Sequence, residues 1–225
     1  MTEEREEQTA SKKLGSFIEK NRKVIIAIFA VVLCALIAFI VYSTVTSKSV
    51  IKNLTAIDEI THTLTSGSSS LEESEVELRR QNAIEQAASY TSKGGIVGAR
   101  ANMLCAELTF QQKKYEDSAA YWKACAAKAK KTYIAPIAYF NLGVCNEELG
   151  KLDDAAENYK IASDNVDFVL RPHAMFSYAR VIDLKGDYKL AADSYNELVN
   201  AYADNSWAKL AKSRLIALKN DGKIE

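Results

Sequence analysis

The prolines of this chain, Pro136 and Pro172, lie 36 residues apart and begin near-copies of one segment. A repeat of this length indicates one supersecondary unit stacked on copies of itself, because a single unit cannot bury its own apolar face. The sequence therefore predicts a repeat protein, a class that more often holds other molecules than transforms them. The recurring residues are Ala138 and Ala174, Phe140 and Phe176, Gly150 and Gly186, Ala155 and Ala191, Ala156 and Ala192, and Tyr159 and Tyr195.

Each copy has the pattern of two antiparallel helices joined by a short turn. Proline suits the first turn of a helix, so Pro136 and Pro172 mark helix starts. Gly150 and Gly186 follow about four turns of helical pattern, where glycine commonly ends a helix. The helical period then resumes, with alanine and tyrosine on one face. The predicted fold class is all-α.

The spacing of these residues resembles that of the tetratricopeptide repeat (TPR) family, whose pattern runs from an aromatic residue through Leu-Gly, Ala and an aromatic residue to Ala. The resemblance implies a helix-turn-helix solenoid of three repeats over residues 99–205. Residues 48–98 would form a linker helix and N-terminal helices that pack on the solenoid, and residues 206–225 a C-terminal capping helix. The best copy has Tyr139, Leu142, Gly143, Ala155, Tyr159 and Ala162; weaker copies have Met175, Tyr178, Ala179, Ala191, Tyr195 and Leu198, and Cys105, Ala106, Tyr115, Ser118, Ala119, Trp122 and Cys125.

Residues 24–47 contain no charge and precede the repeats. A helix of this length spans about 36 Å, more than the ~30 Å hydrocarbon core of a bilayer. Basic residues crowd its N-terminal side (Lys12, Lys13, Lys20, Arg22, Lys23), whereas only Lys48 and Lys52 follow closely. The positive-inside rule then predicts a cytoplasmic tail over residues 1–23, a transmembrane anchor over 24–47, and repeats on the extracytoplasmic side.

Other interpretations of the N-terminal region remain open. A cleaved signal peptide has a shorter apolar region, of about 7–15 residues. A lipid-modified Cys34 would follow a small residue, whereas Leu33 is bulky. Beyond the anchor, an apolar stripe at intervals of three and four predicts that the helix continues and packs on the soluble part, with a coiled-coil dimer as the alternative. Its members are Val50, Leu54, Ile57, Ile60 or Thr61, and Leu64.

No constellation of catalytic or metal-binding residues is evident. The repeat register places Cys105, Cys125 and Cys145 at core positions, which predicts buried thiols, with a Cys105–Cys125 bridge as the alternative. His62 and His173 lie on separate elements, and no phosphate-binding glycine loop is present. Basic and acidic residues balance at 29 each, so the chain lacks the excess of positive charge that is typical of nucleic-acid binding. We expect no enzymatic activity, no cofactor, no metal and no nucleic-acid partner.

The TPR resemblance implies a binding face on the first helix of each repeat. Phe140 and Phe176 would form an apolar strip there if exposed, unless a neighbouring helix such as residues 50–64 covers them. The family's carboxylate clamp is excluded, since only Asn141 matches its five positions, and an apolar groove suits extended or helical apolar segments. The candidate partner-binding residues are Met103, Phe110, Ile137, Phe140, Asn141, Val144, Phe176 and Arg180.

The layout, one anchor followed by a small TPR domain, resembles that of YfgM-like single-span proteins of the bacterial inner membrane. This resemblance implies protein partners such as translocon subunits, chaperones or envelope proteins, and an ancillary role in protein export or envelope assembly. The alternative is a structural scaffold that bridges cell-envelope or cell-division proteins. An organelle import receptor facing the cytosol requires the opposite topology, which the distribution of lysines disfavours.

Overall fold

The computed structural model describes residues 2–130 and 132–225, and all regular secondary structure in these ranges is helical. The all-α class predicted from the sequence is confirmed. The chain divides into two compact units, Met1–Lys52 and Asn53–Glu225. The helices are α1 (Thr2–Thr65), α2 (Glu73–Thr91), α3 (Gly95–Gln111), α4 (Tyr115–Lys128), α5 (Ile134–Glu148), α6 (Leu152–Asp164), α7 (Arg171–Leu184), α8 (Tyr188–Ala201) and α9 (Ser206–Asn220), with a short 3-10 turn at Ser68–Ser70.

The first unit consists of the N-terminal part of α1. The most apolar 18 residues of this helix have a mean hydropathy of 3.5, and none of them is buried. A helix that is apolar on all sides requires an apolar environment around it. By length and composition, α1 meets the requirement for a helix that crosses a membrane.

The second unit stacks helix pairs in chain order. Helices α3 and α4, α5 and α6, and α7 and α8 form the pairs, and the second helix of each pair packs on the helix that follows. Helix α9 packs on α7 and α8, and α2 packs on α3. Ile57 and Ile60 are buried in one cluster with Ala83, Ala87 and Val97. This is the stacked helix-turn-helix arrangement that the repeats predict.

The turns within the helix pairs depend on a left-handed residue at one equivalent position. Gly150 (φ 69°) and Gly186 (φ 85°) occupy it in the second and third pairs. Glycine adopts this conformation readily because it lacks a Cβ, so the predicted helix ends are explained by backbone geometry. In the first pair Lys113 (φ 59°) takes the same position and the same conformation.

Small residues allow the two helices of a pair to approach closely. A Cβ built on Gly143 would lie 2.8 Å from two ring carbons of Tyr159, so the ring occupies the space that any side chain would need. Interiors are packed as densely as organic crystals, and this complementarity leaves no free volume. The alanines around the same crossings are fully buried: Ala138, Ala155, Ala174 and Ala191.

The three cysteines of the second unit lie in its core. Cys105, Cys125 and Cys145 are fully buried and carry free thiols, as predicted from the repeat register. Burial raises the pKa of the Cys105 thiol to about 11 and that of Cys125 to about 12. Protonated thiols are poor nucleophiles, so these cysteines act as small apolar side chains.

We expect the substitution Gly143→Val to lower the free energy of unfolding by about 2 kcal/mol, because overpacking forces the Tyr159 ring out of its site. Urea unfolding of the variant, followed by circular dichroism, measures this loss. The control is Glu157→Val at an exposed position of the partner helix α6, where a change within about 0.5 kcal/mol is expected. Equal losses in the two variants would show that the Gly143–Tyr159 contact does not limit the approach of the helices.

Candidate partner-binding face

The predicted partner-binding residues lie on α3, α5 and α7, the first helices of the three pairs. Met103, Phe140 and Phe176 hold equivalent positions, 37 and 36 residues apart. Phe140 is 8% exposed and therefore buried. Use of these residues by a partner stays a prediction. Those that are partly exposed are Met103, Phe110, Ile137, Asn141, Val144, Phe176 and Arg180.

Phe140 and Phe176 do not form an open apolar strip, because other aromatic rings lie against both of them. The Phe140 ring lies 6.2 Å from the ring of Phe168, in the α6–α7 turn, and 4.7 Å from that of His173. The Phe176 ring lies 5.4 Å from that of Trp207, at the start of α9. The covering groups thus come from the α6–α7 turn, the first turn of α7 and the start of α9. Residues 50–64 were the predicted alternative cover for Phe140 and Phe176. Their Ile57 and Ile60 side chains instead lie in the cluster with α2 and α3.

The aromatic cover continues through His173. Its imidazole stacks on the Trp207 indole with ring centroids 3.7 Å apart and planes 8° apart. Burial, and to a lesser degree the positive charge of Arg180, lower the pKa of His173 from 6.5. The neutral imidazole is therefore the form that the fold favours. His173 directly follows the predicted helix start at Pro172, but Trp207 is 34 residues away in the sequence, and no sequence pattern indicates that the two rings stack.

Arg180 forms a bidentate ion pair with Glu147. Its guanidinium donates to both carboxylate oxygens of Glu147, at 2.8 and 2.6 Å. The Tyr159 hydroxyl donates to the same carboxylate at 2.6 Å. The Glu147 side chain is only 18% exposed, so the pair links α5 to α7 in a partly desolvated site.

A pairing of an acid with an arginine recurs one repeat further along the chain. Arg214 of α9 pairs with Asp183 of α7, whose side chain is 4% exposed. Asp183 follows Glu147 by 36 residues, and Tyr195 follows Tyr159 by the same interval. Burial raises the pKa of Tyr195 to about 12, and the Asp183 carboxylate adds to the shift. An acid and an arginine thus join α5 to α7 and α7 to α9, and the Tyr159 hydroxyl adds a hydrogen bond to the acid at the first of these interfaces.

The described residues contain no group of three or more histidine, cysteine or acidic side chains that could hold a metal ion. The cysteines nearest the candidate face are buried thiols, and Cys145 donates a hydrogen bond to the Ser118 hydroxyl at 3.3 Å. Arg180 of the candidate face is paired with Glu147, and Arg100, on the same helix as Met103, is paired with Asp58 of α1 at 2.6 Å.

A double-mutant cycle tests how far Arg180 acts through Glu147. We expect Arg180→Ala to lower the free energy of unfolding by about 1–2 kcal/mol, since it leaves a largely buried carboxylate with one fewer charged partner. Glu147→Ala should cost a similar amount, and the double variant less than the sum, with a coupling of about 1 kcal/mol. The exposed pair Lys185–Asp153 is the control, and its coupling should be under about 0.5 kcal/mol. Additive losses at Arg180 and Glu147 would contradict the pairing.

The stacked histidine should make stability depend on pH. Because the folded pKa of His173 lies below 6.5, the unfolded chain takes up its proton first as the pH falls. The stability contributed by the neutral ring is therefore complete above pH 6.5 and is lost below it. His173→Phe keeps a ring on Trp207 and removes the titration. Thermal unfolding of both proteins from neutral to mildly acidic pH should give the flatter profile for His173→Phe; parallel profiles would contradict this.

Comparison with known proteins identifies the family. The tetratricopeptide repeat-like domain family matches residues 15–222 of the chain. A relative from Treponema pallidum (strain Nichols), described as a TPR repeat-containing protein, is 32% identical over 139 residues. That alignment covers 62% of this chain and 58% of the relative. The chain therefore spans little more than half the length of the curated relative.

Two solved structures are similar over part of their length. The crystal structure of a Rap protein complexed with competence and sporulation factor has a TM-score of 0.49 at 18% identity, covering 62% of this chain and 40% of that one. The apo form of RapI has a TM-score of 0.47 at 13% identity, covering 64% and 52%. TPR-like helical repeats typically serve as protein–protein interaction modules and not as enzymes. With the stacked helix pairs and a family match over residues 15–222, this chain belongs to the tetratricopeptide repeat-like domain family.

Proposed function

We propose that this protein is a membrane-anchored TPR interaction module of the bacterial inner membrane, with its repeats on the extracytoplasmic side. The observation that carries the proposal is the exposure of the apolar side chains of α1 over residues 24–47. Lipid provides the apolar environment that such a helix needs. The excess of lysine and arginine before residue 24 supports a cytoplasmic N-terminus.

The candidate face supports binding of an apolar segment of a protein partner. Met103, Ile137, Val144 and Phe176 are partly exposed on three consecutive first helices. A row of apolar side chains at this spacing suits an extended or helical segment that buries its own apolar residues. Arg180 would contribute a polar rim, because the side chain is 38% exposed even while it pairs with Glu147.

The layout of anchor and repeats supports an ancillary role in protein export. Apolar segments are exposed in chains that emerge from a translocon or are carried by a chaperone, and a tethered apolar face is suited to them. The resemblance to YfgM-like inner-membrane proteins supports the same role. Translocon subunits and extracytoplasmic chaperones are the proposed partners.

Photo-crosslinking in native bacterial membranes tests this proposal. A photoreactive residue at Val144 or at Phe176 should capture translocon subunits or their chaperones, because both positions lie on the candidate face. The control is the same residue at Lys189, an exposed position at the start of α8, where little or no capture of these proteins is expected.

The identity of the crosslinked proteins distinguishes the export role from a structural-scaffold role. Capture of envelope or cell-division proteins alone, from the same two positions, would contradict the export role and favour a structural scaffold. Equal yields from Val144, Phe176 and Lys189 would contradict the assignment of the binding face.

A further inference from the structure

Four exposed apolar side chains gather at one end of the second unit, in the α4–α5 and α6–α7 turns. Tyr133 is 75% exposed, Val166 73%, Val169 90% and Leu170 46%. Tyr133, Val169 and Leu170 also line a cavity of ≈ 430 Å³ between the two turns. We call the surface formed by these four side chains the apolar end. Clustered exposed apolar residues mark a site of interaction, whereas isolated ones do not.

The apolar end lies at the same end of the unit as Asn53, its first residue. Ala56 lines a pocket with Ser89 and Tyr90, which lie at the C-terminal end of α2. The turn after α2 touches α4, since the Lys128 Nζ donates to the Ser92 carbonyl at 3.4 Å. Lys128 ends α4, and the α4–α5 turn that follows it borders the α6–α7 turn across the cavity.

Only a short length of chain separates this end of the unit from the proposed anchor. Asn53 follows Ser47, the last residue of the uncharged stretch, by six residues. Six residues span about 20 Å when fully extended, so an anchored chain keeps Asn53 near the bilayer surface. This short connection allows the turns at the end of the unit that carries Asn53 to reach lipid.

The turns at this end of the second unit carry a net positive charge, whereas the turns at the opposite end carry a net negative charge. Only the first set is complementary to an anionic surface. Among the described residues of 91–95, 128–130, 132–133, 163–171 and 202–206, four are basic and three are acidic. The turns at the opposite end, residues 111–117, 147–154 and 184–189, contain five basic and seven acidic residues. Anionic headgroups attract the first set and repel the second.

We propose that the apolar end docks on the anionic lipid surface of the membrane in which the chain is anchored. Val166, Val169 and Leu170 would enter the headgroup region, and Tyr133 would place its ring there with its hydroxyl toward water. Lys130, which borders the cavity, would reach the lipid phosphates. The inference rests on the proposed anchoring of residues 24–47.

Tryptophan quenching in lipid bilayers tests the docking. The full chain is placed in nanodiscs of phosphatidylcholine and phosphatidylglycerol, with or without brominated acyl chains, as Val169→Trp or Leu184→Trp. Leu184 is the matched control, since it is 61% exposed and ends α7 at the opposite end of the unit. Trp122 and Trp207 give the same background in both proteins.

Brominated lipid should quench the added tryptophan of Val169→Trp and leave that of Leu184→Trp unquenched. The additional substitution Lys130→Glu, or replacement of phosphatidylglycerol by phosphatidylcholine, should reduce the quenching of Val169→Trp. Equal signals from Val169→Trp and Leu184→Trp would overturn the docking and leave the apolar end to a protein partner.

Alkaline extraction of vesicles that hold the same chains distinguishes docking from anchoring. Chains that resist extraction but show no quenching at position 169 would overturn the docking and keep the anchor. Chains that are extracted but show quenching before extraction would overturn the anchor and keep the docking. Extraction without prior quenching would overturn both.

Discussion

The fold depends on how closely the two helices of each repeat approach one another. Gly143 and the fully buried alanines remove side-chain volume at the crossings, and the rings of Tyr159 and Tyr195 fill the space that remains. The Tyr159 ring also contributes to the junction with the next repeat, because its hydroxyl donates to the Glu147 carboxylate that pairs with Arg180 of α7. The contact that closes one repeat thus helps to orient the charged groups that join it to the next.

The interfaces between repeats are not equivalent. At the two C-terminal interfaces an acid on one first helix pairs with an arginine on the next, Glu147 with Arg180 and Asp183 with Arg214. The residue equivalent to Arg180 in the preceding repeat is Val144, so the corresponding layer there is apolar. The partly exposed apolar side chains that we propose for partner binding are consequently concentrated on α3 and α5. Helix α7 instead forms ion pairs with α5 and α9 and contacts Trp207 through Phe176.

This distribution separates two kinds of apolar surface in the second unit. The row on the first helices is partly exposed, which suits an apolar segment of a partner that packs against these side chains. The apolar end projects from turns, and Val169 stands almost free of the protein. An exposed apolar side chain at a cavity that Lys130 also lines suits the surface of a bilayer. The two proposals therefore use different parts of the solenoid and do not compete for the same residues.

The sequence by itself determined the helix pairs, their turns and their buried faces, because each depends on residues within one repeat. Gly150 and Gly186 end their helices through local backbone conformation, and Cys105, Cys125 and Cys145 are buried because their register places them at the crossings. Only the tertiary structure decided which residues of the candidate face remain open. Phe140 is closed by Phe168 and His173, and Arg180 is paired with Glu147, 33 residues earlier in the chain. Periodicity shows which side of a helix a residue occupies, but exposure depends on side chains that arrive from distant segments, and their contacts leave no periodic signal.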